Sequence, residues 1–330
     1  MLLLVLRALP ADAQIFESVG TRAQGMGGAF VAVADDATAT WWNPAGLATG
    51  SFFSLIVERG QLTEPGDPLE PGPAWRNSSS GYAFNVPSLG LSLYRLRVSE
   101  MRPASPTVGD EPDRQDPGAI QADLRTMTAR QLGITVGQSL GSNLVIGSTL
   151  KLMTAGWGVS NGVTGASLLD RADDLDASTE THADLDIGAM LATPGARAGV
   201  TVKHVREPEF GEGDLRFKLE RQVRAGVAVF AGSRRGVQHL TLAFDADLTK
   251  TRTATGEAQH VAAGVEGAFF ANRLALRGGL SRNVAEPSGT SASAGLTFAT
   301  RSGLSLDGAY TFGSDRSRAG WNLAVRATLY

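Results

Sequence analysis

From Ser51 to Tyr330 apolar and polar residues alternate with a period of two, in short stretches separated by turn signals. That period sends successive side chains to opposite sides of an extended chain, so each stretch predicts a strand with one greasy and one polar face. Fourteen stretches carry it: 51–59, 79–86, 90–98, 126–137, 143–156, 183–192, 197–205, 215–230, 237–248, 258–270, 273–283, 290–299, 303–312 and 319–330. In 237–248, Leu240, Leu242, Phe244, Ala246 and Leu248 share one face, and His239, Thr241, Asp245 and Asp247 share the other. In 258–269, Val261, Ala263, Val265 and Phe269 oppose His260, Gly264 and Glu266. The polar face of 215–224 reads Arg216, Lys218, Glu220, Gln222 and Arg224.

Connection lengths alternate too. Short turns at 86–90, 141–143, 193–196, 231–236, 271–273 and 300–303 are interleaved with polar loops at 60–78, 99–125, 157–182, 206–214, 249–257, 284–289 and 313–318. Short turns at one rim and longer loops at the other predict an antiparallel up-and-down transmembrane β-barrel of about fourteen strands. Charges are costly against hydrocarbon, so the apolar faces are expected to meet lipid. Arg216, Lys218, Glu220, Arg224, His239, Asp245, Asp247 and Glu266 are then expected to face the lumen. Asp184, Asp186, Lys203, Arg277, Asp307 and Arg326 join them, and their mixed signs favour cross-strand pairing over an ion path. Aromatic residues form two groups along this topology. Phe230, Phe269, Phe270, Phe298 and Tyr330 fall at the short-turn rim, and Trp157, Tyr310, Phe312 and Trp321 at the other, as interfacial girdles require.

Composition narrows the alternatives. Glycine at 40 of 330 residues suits turns and close strand packing. The absence of cysteine excludes disulfides and thiolate chemistry, and a net charge of −3 gives no basic footprint for nucleic acid. The four histidines, His182, His204, His239 and His260, have no catalytic or metal-ligand spacing. His239 and Asp245 share a face, but about 20 Å separates them at ~3.3 Å per residue, so the chain reads as a non-enzyme. No cofactor and no metal is expected.

Before the first strand the chain has two further parts. Residues 1–13, MLLLVLRALPADA, match a signal peptide cleaved between Ala13 and Gln14, with Arg7 within the apolar part and no basic leader before it, as in a truncated start. Residues 14–50 are rich in glycine and alanine. Gly25, Gly27 and Gly28 lack the strand and the Lys-Ser/Thr end of a nucleotide-binding loop, and read as close packing inside a barrel. Asp35 and Asp36 read as solvated or capping acids, Asn43-Pro44-Ala45-Gly46 as a rigid turn, and Trp41 and Trp42 as wall anchors. With Phe30, the two tryptophans are also candidate contacts for an apolar ligand.

The run from Val19 to Leu47, VGTRAQGMGGAFVAVADDATATWWNPAGL, resembles the N-terminal segment of the FadL-like outer-membrane proteins, including their PorV/PorQ relatives. The resemblance implies a fourteen-stranded barrel with residues 14–50 as a hatch in its lumen, and a hatch role for Asn43, Pro44 and Ala45. It implies passive passage of hydrophobic small molecules such as fatty acids, or, in the PorV/PorQ manner, docking of secretion-system proteins. It also implies outer-membrane lipid and the outer-membrane assembly machinery as partners. The polar, Pro-rich loop 99–125 departs from the family's apolar capture loops, and Tyr330 is out of phase with Trp321, Leu323, Val325, Ala327 and Leu329.

Overall fold

The computed structural model describes residues 19–64, 74–103, 121–163, 171–172, 174–232, 237–253, 256–315 and 318–329. The signal-peptide reading of residues 1–13, its cleavage site and Tyr330 lie outside them. The strands are β1 (Phe53–Glu64), β2 (Ala74–Val86), β3 (Leu89–Pro103), β4 (Gln121–Leu140), β5 (Leu144–Val163), β6 (Ser178–Ala192), β7 (Ala196–Lys203), β8 (Glu209–Phe210) and β9 (Phe217–Lys218). They continue as β10 (Gln222–Ala231), β11 (His239–Asp247), β12 (Thr251–Thr253), β13 (Gly256–Ala258), β14 (His260–Phe269), β15 (Leu274–Asn283), β16 (Gly289–Ala299), β17 (Leu304–Gly313) and β18 (Gly320–Leu329).

Fourteen of these close into one antiparallel barrel in sequence order, and β8–β9 and β12–β13 are separate two-stranded hairpins. The barrel closes where β1 meets β18, in unbroken register from Phe53 opposite Leu329 to Gln61 opposite Trp321. Each of the fourteen expected strands has its counterpart. Over β1–β6 the wall is taller than expected, and β4 and β5 each run for 20 residues. Above the apolar belt both faces of a strand are wet or covered by loops, so greasy alternation fades while the hydrogen-bonded ladder continues.

The two faces are chemically sorted. On β4 and β5, Leu132, Ile134, Leu150 and Leu152 point outward and are 48–57% exposed. Their lumen-facing neighbours Gln131, Thr135, Thr149 and Lys151 are buried. An apolar belt of this extent on a soluble surface would drive association, whereas hydrocarbon covers it at no cost. Tyr310, Phe312 and Trp321 stand outward at the long-loop rim, and Phe270 and Phe298 are exposed at the short-turn rim. Trp157 departs from the girdle expectation. Its place in β5 turns it inward, where it meets Phe217 edge-on with ring centroids 6.2 Å apart.

Candidate functional site

Residues 19–50 lie within the barrel. They form α1 (Thr21–Gly25), α2 (Ala39–Trp42) and a 3-10 turn (Pro44–Thr49), nearly all buried. Such short pieces cannot satisfy their own backbone groups, so the wall does it. Glu58 on β1 accepts hydrogen bonds from the N–H groups of Gly20 and Thr21, at 2.7 and 2.9 Å. Asp245 on β11 accepts from the N–H groups of Phe30 and Val31, at 2.7 and 2.8 Å. Glu266 on β14 takes a two-pronged contact from the Arg22 guanidinium, at 2.9 and 2.7 Å, and also pairs with Arg277. Three wall carboxylates thus hold the segment by charge-assisted bonds.

The segment's own acids pair with Arg22 of the same segment and with arginines of the wall. Asp35 binds Arg22 at 2.5 Å and Arg197 at 3.6 Å. Asp36 accepts from the N–H and hydroxyl of Thr38, the N-cap residue of α2, and lies 3.5 and 3.6 Å from Arg22 and Arg326. Asp36 is buried and holds the N-cap residue of α2 in place of solvent, whereas Asp35 stays partly exposed beside its guanidinium partners.

Asn43 fixes the turn that follows. Its side-chain oxygen accepts from the Ala45 N–H at 3.1 Å while its amide donates to the Val31 carbonyl at 3.0 Å, so one side chain caps the 3-10 turn and ties it to the preceding loop. The wall meets it with glycine: a Cβ on Gly147 would sit 2.3 Å from the Pro44 carbonyl carbon. Gly27, at φ +67°, takes a left-handed turn against β15, where a Cβ would lie 2.8 Å from the Leu280 nitrogen. Gly25 packs on Gly295 and Arg277, and Gly28 on Arg318, whose guanidinium donates to the Gly27 carbonyl at 2.9 Å. Gly46 faces the Ala34 carbonyl.

The aromatic residues of the segment pack on one another and, at Trp41 and Trp42, on the wall. Phe30 and Trp42 contact edge-on at 6.0 Å, and the Trp42 N–H donates to the Val19 carbonyl at 3.0 Å. Trp41 packs edge-on against Tyr94 of β3 at 5.2 Å, with the Lys203 ammonium 3.8 Å over its face. Beyond Trp41 is a small chamber lined by Tyr94, Leu96, Ala129, Gln131, Met153, His204 and Leu219, with room for about one water-sized molecule. Both amide atoms of Gln131 and the indole N–H of Trp41 are buried there without a hydrogen-bond partner.

The roof of the chamber is the segment read from sequence as the start of a strand at 215. After β7 the chain turns inward through His204 and Glu207, both in left-handed conformation (φ 55° and 49°). Hairpin β8–β9 then buries Phe210, Phe217 and Leu219 on Met127, Ala129, Met153 and Ala155 of the lumen wall. Phe210 and Phe217 stack at 5.3 Å. This corrects the lumen assignment of Arg216, Lys218 and Glu220. With the apolar residues turned in, Arg216 pairs with Glu209 on the exposed side, Lys218 lies 3.3 Å from Glu207, and Glu220 binds Arg252 at 2.7 Å. The backbone N–H of Arg221, with Lys218 beside it, holds the Glu207 carboxyl below the usual carboxylate range. His239 shares the lumen face of β11 with Thr241 and Asp245 but is exposed at its short-turn end, stacked 5.9 Å from Phe230. Arg224, Asp245, Asp247 and Glu266 are buried on the lumen side, with Arg224 and Asp247 paired at 2.6 Å.

One polar cluster escaped the sequence reading as a unit. Lys151 is fully buried 3.2 Å from Asp184 and 2.6 Å from Asp186, and His204 binds Asp184 at 2.8 Å. The two acids and His204 are close enough to grip a cation. The Lys151 ammonium already fills that role, so the donor set fits an internal ion pair better than a metal.

No curated protein matches the chain. Over residues 77–247, just over half the sequence, it matches the family described as "F plasmid transfer operon, TraF, protein". The chain belongs to that family. Among solved structures it is similar to the CymD monoaromatic hydrocarbon channel, at 10% identity over 94% of this chain and 98% of that one, with a TM-score of 0.62. A Pseudomonas aeruginosa FadL homologue aligns at 12% identity over 97% and 100%, with a TM-score of 0.61. The Ralstonia pickettii toluene transporter TbuX aligns at 12% over 95% and 99%, with a TM-score of 0.59. At these identities the likeness is one of fold, that of the FadL-like barrels.

Proposed function

We propose that the chain is a bacterial outer-membrane barrel that binds hydrophobic small molecules and passes them passively, with residues 14–50 as the gating plug. The observation that carries this reading is the chamber between Trp41 and Leu219, walled by Tyr94, Leu96 and Met153 and stoppered from both ends. A ligand there removes apolar surface from water at about 25 cal/mol per Å², which needs no chemistry from the protein. Gln131 and the Trp41 N–H offer hydrogen bonds to a single polar group on an otherwise greasy molecule. Long-chain fatty acids fit that class, and monoaromatic hydrocarbons, for which structural neighbours are named, would use the apolar lining alone.

In its present size the chamber has room for about one water-sized molecule, so passage requires the rim hairpin to lift and the N-terminal segment to shift. A second reading, PorV/PorQ-like docking of protein partners of a secretion system, draws on the family's link to plasmid transfer and on the ion pairs that fill the remaining lumen. Equilibrium binding of toluene and of a long-chain fatty acid to the purified barrel, followed by tryptophan fluorescence, separates the two. Saturable binding that weakens in Asn43→Ala and in a variant lacking residues 19–50 supports transport. Absence of saturable binding in every form, with a large complex co-purifying, favours docking.

A further inference from the structure

The chamber behind Trp41 carries more polar chemistry than a hydrocarbon can use. Gln131 of β4 is buried in its wall with both amide atoms unpartnered, and the Trp41 indole N–H is unpartnered too. A buried amide without hydrogen bonds is costly, and a ligand that supplies them recovers that cost on binding. Arg130 also borders the chamber, but it stands on the opposite, exposed face of β4.

His204 is a further polar side chain of the lining. Its backbone takes the left-handed conformation at φ 55°, and its N–H donates to Asp186 at 2.9 Å. The ring meets Asp184 and Lys151 through Nδ1 alone, at 2.8 and 3.2 Å. A carboxylate only accepts, so the Asp184 contact puts the ring proton on Nδ1. The Lys151 ammonium beside the same nitrogen opposes a second positive charge on the ring. Nε2 then carries a lone pair, and among the described residues no protein group engages it.

Together these side chains offer donors, the indole N–H and the Gln131 amide N–H, and acceptors, the Gln131 amide oxygen and His204 Nε2. The Lys203 ammonium, 3.8 Å over the indole face, draws on its electron density and makes the N–H a stronger donor. A hydroxyl satisfies both kinds at one atom, because it accepts and donates. A carboxylate accepts only, so it would turn its oxygens toward both acceptors, with Asp184 and Asp186 outnumbering Lys151 behind His204. A hydrocarbon meets none of these groups. The Trp41 and Tyr94 rings, 5.2 Å apart, and Met153 form the apolar surround for a flat body. We infer that the chamber selects aromatic alcohols, the class of phenol and the cresols, with the hydroxyl held between Trp41, Gln131 and His204. This rests on the chamber being the ligand site proposed above, opened as passage requires.

Equilibrium dialysis against the purified barrel at neutral pH, with empty detergent micelles as the blank, tests this with radiolabelled p-cresol, toluene, 4-methylanisole and p-toluate. All share a tolyl body and differ in the polar group: donor and acceptor, none, acceptor only, and anionic acceptor. p-Cresol is less apolar than toluene, so burial alone ranks it below toluene. It is expected to bind about tenfold more tightly than each of the others. Gln131→Met, Trp41→Phe and His204→Asn, the last suited to a left-handed backbone, should each bring that ratio toward one. A ratio unchanged in all three would overturn the inference. Saturable toluene binding with no preference for p-cresol would overturn it and leave the transport reading standing, and that comparison needs no variant to fold. Equal binding of 4-methylanisole, or tighter binding of p-toluate, would overturn the donor role of the hydroxyl and the inference with it. No saturable binding of any of them would remove the transport reading and the inference together.

Discussion

Asp245 has a job that its position in an alternating strand does not announce. Its carboxylate is fully buried and accepts two backbone N–H groups from a segment more than 200 residues away in sequence. Asp245→Ala leaves both donors buried without partners, which costs roughly 2–6 kcal/mol at ~1–3 per orphaned group. Hydrogen exchange should show protection falling in residues 28–34 while the strands keep theirs; unchanged protection would remove Asp245 from the anchoring role. The lumen side of Asp245, Asp247 and Glu266 was legible because period two puts charges away from lipid. Their partners were not. Glu58 sits in a short, largely apolar run where one acid carries little signal, and Arg22 lies in a segment with no period, so neither advertises the contacts it makes across the barrel.

Hairpin β8–β9 shows how a correct alternation can point the wrong way. In 215–224 charges and apolar residues alternate as in a wall strand, and the same pattern serves a hairpin whose greasy face turns into the lumen and whose charged face meets water. Sequence period fixes which residues share a face but not what that face touches. Phe217→Ala with Leu219→Ala removes most of the roof, and ligand binding to the purified barrel should tighten or speed up; slower or weaker binding would mean that the hairpin shapes the site and does not cover it. The hairpin should also respond to acid. Glu207 has a folded-state pKa below its ordinary value of 4.5, so its tie to Arg221 and Lys218 is fully present above that value and is lost as pH falls through the lower one. Hydrogen exchange of residues 205–221 should rise on acidification below the ordinary value of 4.5 and stay flat in Glu207→Gln.

The barrel as a whole follows from where charge cannot go. Leu242 stands at mid-height on the outward face of β11, flanked by Val229 and Val265. Leu242→Arg should cost about 2–4 kcal/mol of stability in a bilayer, read from unfolding in vesicles. An effect near zero would place that face outside hydrocarbon. Strand number, closure order and the division into lipid and lumen faces were legible because they depend on local period and turn spacing. The height of β1–β6 was not, since polar residues above the belt look like loop.

The central claim is that a hydrophobic molecule crosses through the chamber between Trp41 and Leu219. Cells with an intact outer membrane, supplied with dilute radiolabelled toluene or a long-chain fatty acid, give the most direct measurement. The chain should speed uptake of at least one of them, and Ala129→Trp, which fills the chamber in a barrel shown to assemble normally, should bring uptake back to that of cells lacking the chain. Equal uptake with the chain, with the filled variant and without either would contradict it.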